Sequence, residues 1–173
     1  SEDRWCRPVM ARTGPDGALW VVDMYRYMIE HPQWLPAGGK AEMKPFERSG
    51  MEYGRIYRVY KDGKTPRRIP RLDKSSGKEL VTHLASGNGI IRDMAHRLLV
   101  QRNDVSATEA LVKMAGTHAS AKARLHALCV LDGLDRLSPT LLKAAFRDPH
   151  PEIRRHALRL AESRWDGKPE ILK

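Results

Sequence analysis

Cysteine is scarce: Cys6 and Cys129 stand alone and far apart, with no CxxC, no CxxCH and no second cluster of ligands beside either. That excludes a structural zinc site and a covalently attached c-type haem within this chain. Long apolar runs are missing as well. Nothing approaches the roughly 18 to 20 residues that would span a bilayer, and no charged-then-apolar leader opens the sequence, so no transmembrane segment is expected. Aromatic residues make up only 6%, and Trp20, Trp34 and Trp165 are too scattered to form the stacking platform of a single-strand nucleic-acid binder. A concentrated stripe of one charge sign is also lacking, since residues 1–72 carry 14 basic and 9 acidic residues and residues 73–173 carry 17 and 12.

What is present is a chain of 173 residues, 41% hydrophobic, long enough to build a real core. Its formal charge of +10 favours anionic partners such as nucleic acid, anionic lipid or an acidic protein surface. The even spread of that excess speaks against a dedicated nucleic-acid module. The densest basic run, Lys61, Lys64, Arg67, Arg68, Arg71 and Lys74, reads as a solvated connector. The sequence opens on Ser1 and runs straight into strand-like residues, the expectation for a piece of a longer protein.

Two apolar runs, Arg7 to Arg12 and Ala18 to Met24, flank Gly14, Pro15, Asp16 and Gly17. Pro15 presets φ and Gly17 can take φ > 0, so the pattern predicts a β-hairpin. A third strand is expected at Gly54 to Tyr60, ending at Asp62 and Gly63. Between them, Pro32, Pro36, Gly38 and Gly39 break regular structure, although Met24 to Glu30 can make one or two helical turns. A connection this long, carrying tyrosines, Trp34, His31 and several charges, is of the kind that holds function.

From about Ser75 the period becomes helical and the sequence repeats itself. Arg92, Arg124 and Arg154 recur about thirty residues apart, each followed three residues later by an alanine, Ala95, Ala127 and Ala157. A period of that size with two helices per unit predicts a solenoid in which each small alanine lets helices approach closely. Helix starts are marked by Ser75 or Ser76, by Ser106 with Glu109 as a capping box, by Ser138 before Pro139 and by Asp148 before Pro149. Helices are predicted near 77–86, 89–102, 106–116, 120–133, 138–147 and 151–164. Met24, Met28, Met94 and Met114 fall at apolar positions and are expected in the core.

The stretch Asp148-Pro149-His150-Pro151-Glu152-Ile153-Arg154-Arg155-His156-Ala157 resembles the HEAT-repeat signature. Together with Arg7-Pro8-Val9, the run Gly14 to Arg26, Ile29 to Pro36 and Gly54 to Val59, the chain is similar to the membrane-bound dehydrogenase-like, haem-binding proteins of planctomycetes and verrucomicrobia. In that family a β-propeller akin to quinoprotein sugar dehydrogenases precedes HEAT repeats and, usually, a cytochrome c domain. The resemblance implies a mainly α fold, an α-α superhelix of HEAT-like repeats preceded by a small antiparallel β-sheet from the end of a propeller. It places terminal propeller strands and a basic connector in residues 1–72 and the repeats in residues 73–173.

The same resemblance implies a periplasmic or secreted parent using a pyrroloquinoline quinone-like cofactor and haem c, with no cofactor in this chain. The repeats would then be a scaffold between the propeller and cytochrome domains, with a possible protein partner on their surface. Arg7 matches a position where quinoprotein relatives turn an arginine toward the funnel, and Tyr25 and Arg26 follow as cofactor-facing candidates. Asp23 and His31 are the catalytic candidates, His31 because it can titrate near neutrality. The plainer and preferred reading pairs Asp23 with Arg26 as an ion pair and makes His31-Pro32 a turn. No metal site is expected: His96, His126 and His156 are read as recurring at equivalent repeat positions, where stacked helices would hold successive ones about 10 Å apart. Arg92, Arg124 and Arg154 are read as capping or bridging to a neighbouring repeat. The alternative function is a free-standing helical-repeat module that binds nucleic acid or an acidic protein.

Overall fold

Alternating apolar residues around a Gly-Pro-Asp-Gly turn build the first regular structure of the computed structural model, which describes residues 2–29, 32–162 and 164. Strands β1 (Pro8–Thr13), β2 (Leu19–Asp23) and β3 (Arg55–Val59) form an antiparallel sheet in the order β1-β2-β3. Thr13 pairs with Leu19 and Ala11 with Val21, with an irregularity between Pro8 and Met10; Leu19 pairs with Val59 and Asp23 with Arg55. The turn closes through Gly14 N–H to the Ala18 carbonyl at 2.7 Å and Gly17 at φ +84°, a conformation that needs a residue without Cβ.

Asp16, only 2% exposed, anchors this hairpin. Its carboxylate accepts from Ala18 N–H and Trp20 Nε1–H, each at 3.1 Å, and from Arg58 on β3. Burial would raise its pKa, but those donors outweigh it and hold the carboxyl below its ordinary value. The sheet itself is bare. Every residue of β1 and of β3 is exposed, including Val9, Met10, Ile56 and Val59.

The helical turns predicted at 24–30 do not form over the described residues up to Ile29; a helix instead occupies α1 (Ala37–Met43). Met28 is buried, whereas Met24, Met94 and Met114 are half-buried and Trp34 is 76% exposed. Trp165 lies outside the described residues.

The chain divides into two compact units, 1–69 and 70–173. Among the described residues the regular structure of the second is helical: α2 (Gly77–His83), α3 (Gly89–Gln101), α4 (Thr108–Thr117), α5 (Ala121–Gly133), α6 (Pro139–Ala145) and α7 (Pro151–Glu162). The fold is therefore mainly α with a small three-stranded antiparallel sheet. Helices pack as successive pairs, α2 on α3, α4 on α5 and α6 on α7. Neighbouring pairs meet through α2, α4 and α6 on one layer and α3, α5 and α7 on the other.

Leu80, Leu99, Leu111, Leu128, Leu131, Leu142, Ile153 and Leu160 are sealed between the layers, each side chain stabilising by about 1.5–3 kcal/mol. Ala95, Ala127 and Ala157 are all 0% exposed, consistent with small residues where helices approach most closely.

Caps explain the boundaries. Ser76 accepts from Glu79 N–H while Glu79 returns a bond to Ser76 N–H at 2.7 Å, a complete capping box. Ser120 and Ser138 cap α5 and α6. The box expected at Ser106 and Glu109 is absent: Ser106 sits in a short 3-10 turn and its hydroxyl donates to Asp104 at 2.5 Å, so α4 starts at Thr108 without a side-chain cap.

The recurring arginines share one job. Arg92 Nη1 donates to the Ser86 carbonyl at 2.7 Å, Arg124 Nη1 to those of His118 and Ala119, and Arg154 Nη1 to those of Asp148 and Pro149. Each ties the start of its helix to the loop five or six residues upstream, satisfying carbonyls of the connection between the paired helices.

Candidate functional site

In the first unit the chemistry-bearing side chains gather where β1 begins and β2 ends. Pro8 pairs with Asp23, which brings Trp5, Arg7, Asp23 and Tyr25 together. Asp23 is 1% exposed. Its Oδ1 accepts from Arg7 N–H at 2.7 Å and Tyr25 N–H at 2.9 Å, while Oδ2 has no hydrogen-bond partner and faces Arg55 Nε at 3.9 Å. Burial pushes this carboxyl up, yet the two backbone N–H donors outweigh burial and leave its pKa below the ordinary value. A group held ionised in this way anchors a bend and does not carry protons near neutrality.

The ion pair expected between Asp23 and Arg26 does not form. Arg26 donates its backbone N–H to the Trp5 carbonyl at 3.0 Å, its Nη1 is buried without a hydrogen-bond partner, and the cation beside Asp23 is Arg55. Arg7, expected to face a cofactor, turns its guanidinium to backbone carbonyls of Arg4, Cys6 and Tyr27, the last two at 3.1 and 3.3 Å. His31 lies outside the described residues, as does Glu30.

Tyr25 adopts φ +50°, unusual for a residue with a Cβ. Against its carbonyl sits Gly50 at φ +91°, where a Cβ would lie 2.3 Å from the Tyr25 oxygen. The ring of Tyr25 lies beneath Arg55, whose Cζ is 3.8 Å from the ring centroid, a cation–π contact at an exposed site. Trp5 lies 5.7 Å from Tyr25, and Tyr53 meets it edge-on at 6.2 Å. Trp5, Tyr25, Tyr53 and Arg55 line a groove of about 320 Å³. The aromatic packing continues from Trp5 through Tyr27 to Phe46.

Trp5, Tyr53 and Arg55 were not among the residues singled out by sequence. The pairing of Asp23 with Arg55 in β2 and β3 brings in Tyr53 and Arg55, and that of Pro8 with Asp23 brings in Trp5; the turn pattern alone registers neither. The groove can stack a flat or cationic group on aromatic walls. No group of three or more His, Cys, Asp or Glu side chains placed to hold a metal ion occurs among the described residues.

The helical unit departs from expectation at its histidines as well as at Ser106. His96 and His126 are not spaced by a stack: their Nδ1 atoms are 3.2 Å apart and their rings meet edge-on at 5.4 Å. His96 follows Arg92 by four residues whereas His126 follows Arg124 by two. The two histidines therefore occupy different positions on α3 and α5 and face each other across the seam.

Among known proteins, a family model described as Domain of unknown function (DUF7133) matches residues 1–63, the part that holds the sheet and the aromatic groove. No curated protein and no solved structure matches the chain. No helix among the described residues is long and apolar enough to cross a membrane.

Proposed function

We propose that this chain is the scaffold portion of a larger, periplasmic or secreted quinoprotein-like sugar or alcohol dehydrogenase. Residues 1–72 supply closing strands of a β-propeller and a basic connector. The helical pairs, read as HEAT-like repeats, serve as spacer and docking surface toward a cytochrome c domain. The observation that carries this reading is the bare sheet. Three strands with apolar residues exposed along both outer strands are too few to bury a core of their own and leave two open edges. Further strands of a parent would cover both.

The residues present do not form a cofactor site by themselves. A c-type haem needs CxxCH, which the sequence lacks. For a quinone cofactor, the Arg7 guanidinium is bonded to backbone carbonyls and the face of Tyr25 carries Arg55. On this reading dehydrogenase chemistry belongs to the rest of the parent.

The test is to sequence the gene on both sides and to assay the isolated chain for dye-linked oxidation of sugars and alcohols. Upstream strand repeats, a downstream CxxCH and an inactive isolated chain are expected. A complete reading frame without those neighbours, or DNA binding that falls steeply with salt, would replace this proposal with the free-standing module.

A further inference from the structure

Helices α3, α5 and α7 line a groove of about 350 Å³ walled by Asp93, His96, Leu125, His126, Cys129 and His156. At its centre the Nδ1 atoms of His96 and His126 stand 3.2 Å apart. Two imidazole nitrogens at about 2.0–2.1 Å from one Zn²⁺ are separated by about 2.9 Å at a right angle and about 3.3 Å at the tetrahedral angle. The observed spacing lies within that interval. A direct Nδ1–H···Nδ1 hydrogen bond accounts for the same distance; a shared metal requires that proton to leave and both Nδ1 lone pairs to turn toward one point.

The second nitrogen of His126 is also provided for. Its Nε2 faces Asp93 Oδ1 at 3.8 Å, beyond hydrogen-bond distance, where the carboxylate's charge favours a proton on Nε2 and so leaves the Nδ1 lone pair for a metal. Both rings are half-buried on rigid helices. Burial, opposed in part by Asp93, lowers the His96 pKa; burial and then the positive charge of His96 lower that of His126. Charges nearby include Asp93 and Arg92 beside His126, and Arg155, Arg159 and Glu152 beside His156.

We propose that His96 and His126 bind one borderline divalent transition-metal ion, Cu²⁺ or Zn²⁺, through their Nδ1 atoms, with solvent completing the coordination. With two protein donors the site is modest in affinity, and Cu²⁺ binds more tightly than Zn²⁺. The ion bridges α3 to α5 and thereby clips one helical pair to the next. Because it binds only the folded chain, it raises the melting temperature with concentration.

The experiment is isothermal titration of the tag-free full chain with CuCl₂ and with ZnCl₂ at pH 7.5. One saturable equivalent is expected, weakened at least tenfold in His96→Gln and in His126→Gln and unchanged in His150→Gln. Electron paramagnetic resonance of the Cu²⁺-loaded wild-type chain should show two coordinated imidazole nitrogens, a readout independent of whether either variant folds. Absence of a saturable equivalent, affinity unchanged in both substitutions, or a Cu²⁺ spectrum with fewer than two nitrogen ligands would overturn the assignment.

Discussion

The guanidinium of Arg124 grips the carboxylate of Asp148 through two parallel hydrogen bonds, Nε to Oδ2 and Nη2 to Oδ1, each 2.8 Å long. Both side chains are only 10% exposed. Asp148 in turn accepts from His150 N–H at 2.8 Å, so one carboxylate both orders the entry to α7 and holds it to α5. The hydrogen bonds from Arg124 outweigh burial and keep the Asp148 pKa low. Among the described residues Arg92 and Arg154 share the loop-tying role of Arg124 but make no such fork to an acid.

Removing one half of a buried, forked pair leaves the other charge uncompensated, at a cost of about 3–5 kcal/mol. Arg124→Ala also abandons the carbonyls of His118 and Ala119. It should lower the melting temperature by on the order of 10–20 °C. Arg124→Lys keeps the charge, loses the planar fork and should recover only part of the loss. Thermal melts by circular dichroism decide it; a change of a degree or two in Arg124→Ala would mean that the pair is solvated and weak.

Helix positions in the second unit were legible because two local signals coincide there, the 3.6-residue apolar period and serine caps. The spacing of Arg92, Arg124 and Arg154 likewise disclosed their common capping role. Two features escaped. Ser76 with Glu79 and Ser106 with Glu109 carry the same S-x-x-E pattern, and only the Asp104 carboxylate, which takes the Ser106 hydroxyl, separates the real box from the apparent one. The facing of His96 and His126 depends on a two-residue difference in phase, about 200° around a helix, which a repeat alignment smooths over. In the first unit the hairpin was readable from its turn, whereas the Trp5, Tyr25 and Tyr53 groove depends on long-range register and on the positive φ of Tyr25.

The histidines give a pH dependence with a definite sign. His96 and His126 have folded-state pKa values below the ordinary imidazole value, chiefly through burial. As pH falls through about 6.5 the unfolded chain takes up these protons first, so stability rises with pH in this window. Their contribution is fully present above it and is lost as pH drops toward the folded values. The melting temperature of the metal-free chain should fall between pH 7.5 and 5.5, and His96→Gln combined with His126→Gln should flatten that slope. The low-pKa carboxylates of Asp16, Asp23 and Asp148 act at more acid pH and do not mask the effect. An unchanged slope in the double variant would remove the pair from the explanation.

Gly50 offers a test of the aromatic groove. Its φ of +91° and the 2.3 Å approach to the Tyr25 carbonyl leave no room for a methyl group. Gly50→Ala should therefore displace the Tyr25 segment, at a cost of about 1–3 kcal/mol. Trp5 fluorescence should report a loosened contact with Tyr25 while the far-ultraviolet helical signal stays intact. Preserved fluorescence and stability would show that the backbone relaxes without disturbing the groove.

The bare sheet makes the sharpest separation between a self-contained unit and an unfinished one. Val9 and Ile56 are 59% and 63% exposed, so in the isolated chain Val9→Lys with Ile56→Lys should change stability by no more than about 0.5 kcal/mol per site. Placed in the parent protein, the same lysines would sit on strands that further sheet has to cover. Burying unpaired ammonium groups there is costly, and the charges also block edge pairing. The double variant should thus be neutral in urea unfolding of the isolated chain and should abolish assembly or solubility of the parent. Equal tolerance in both settings would mean that the sheet stays uncovered, and the propeller reading would fall with it.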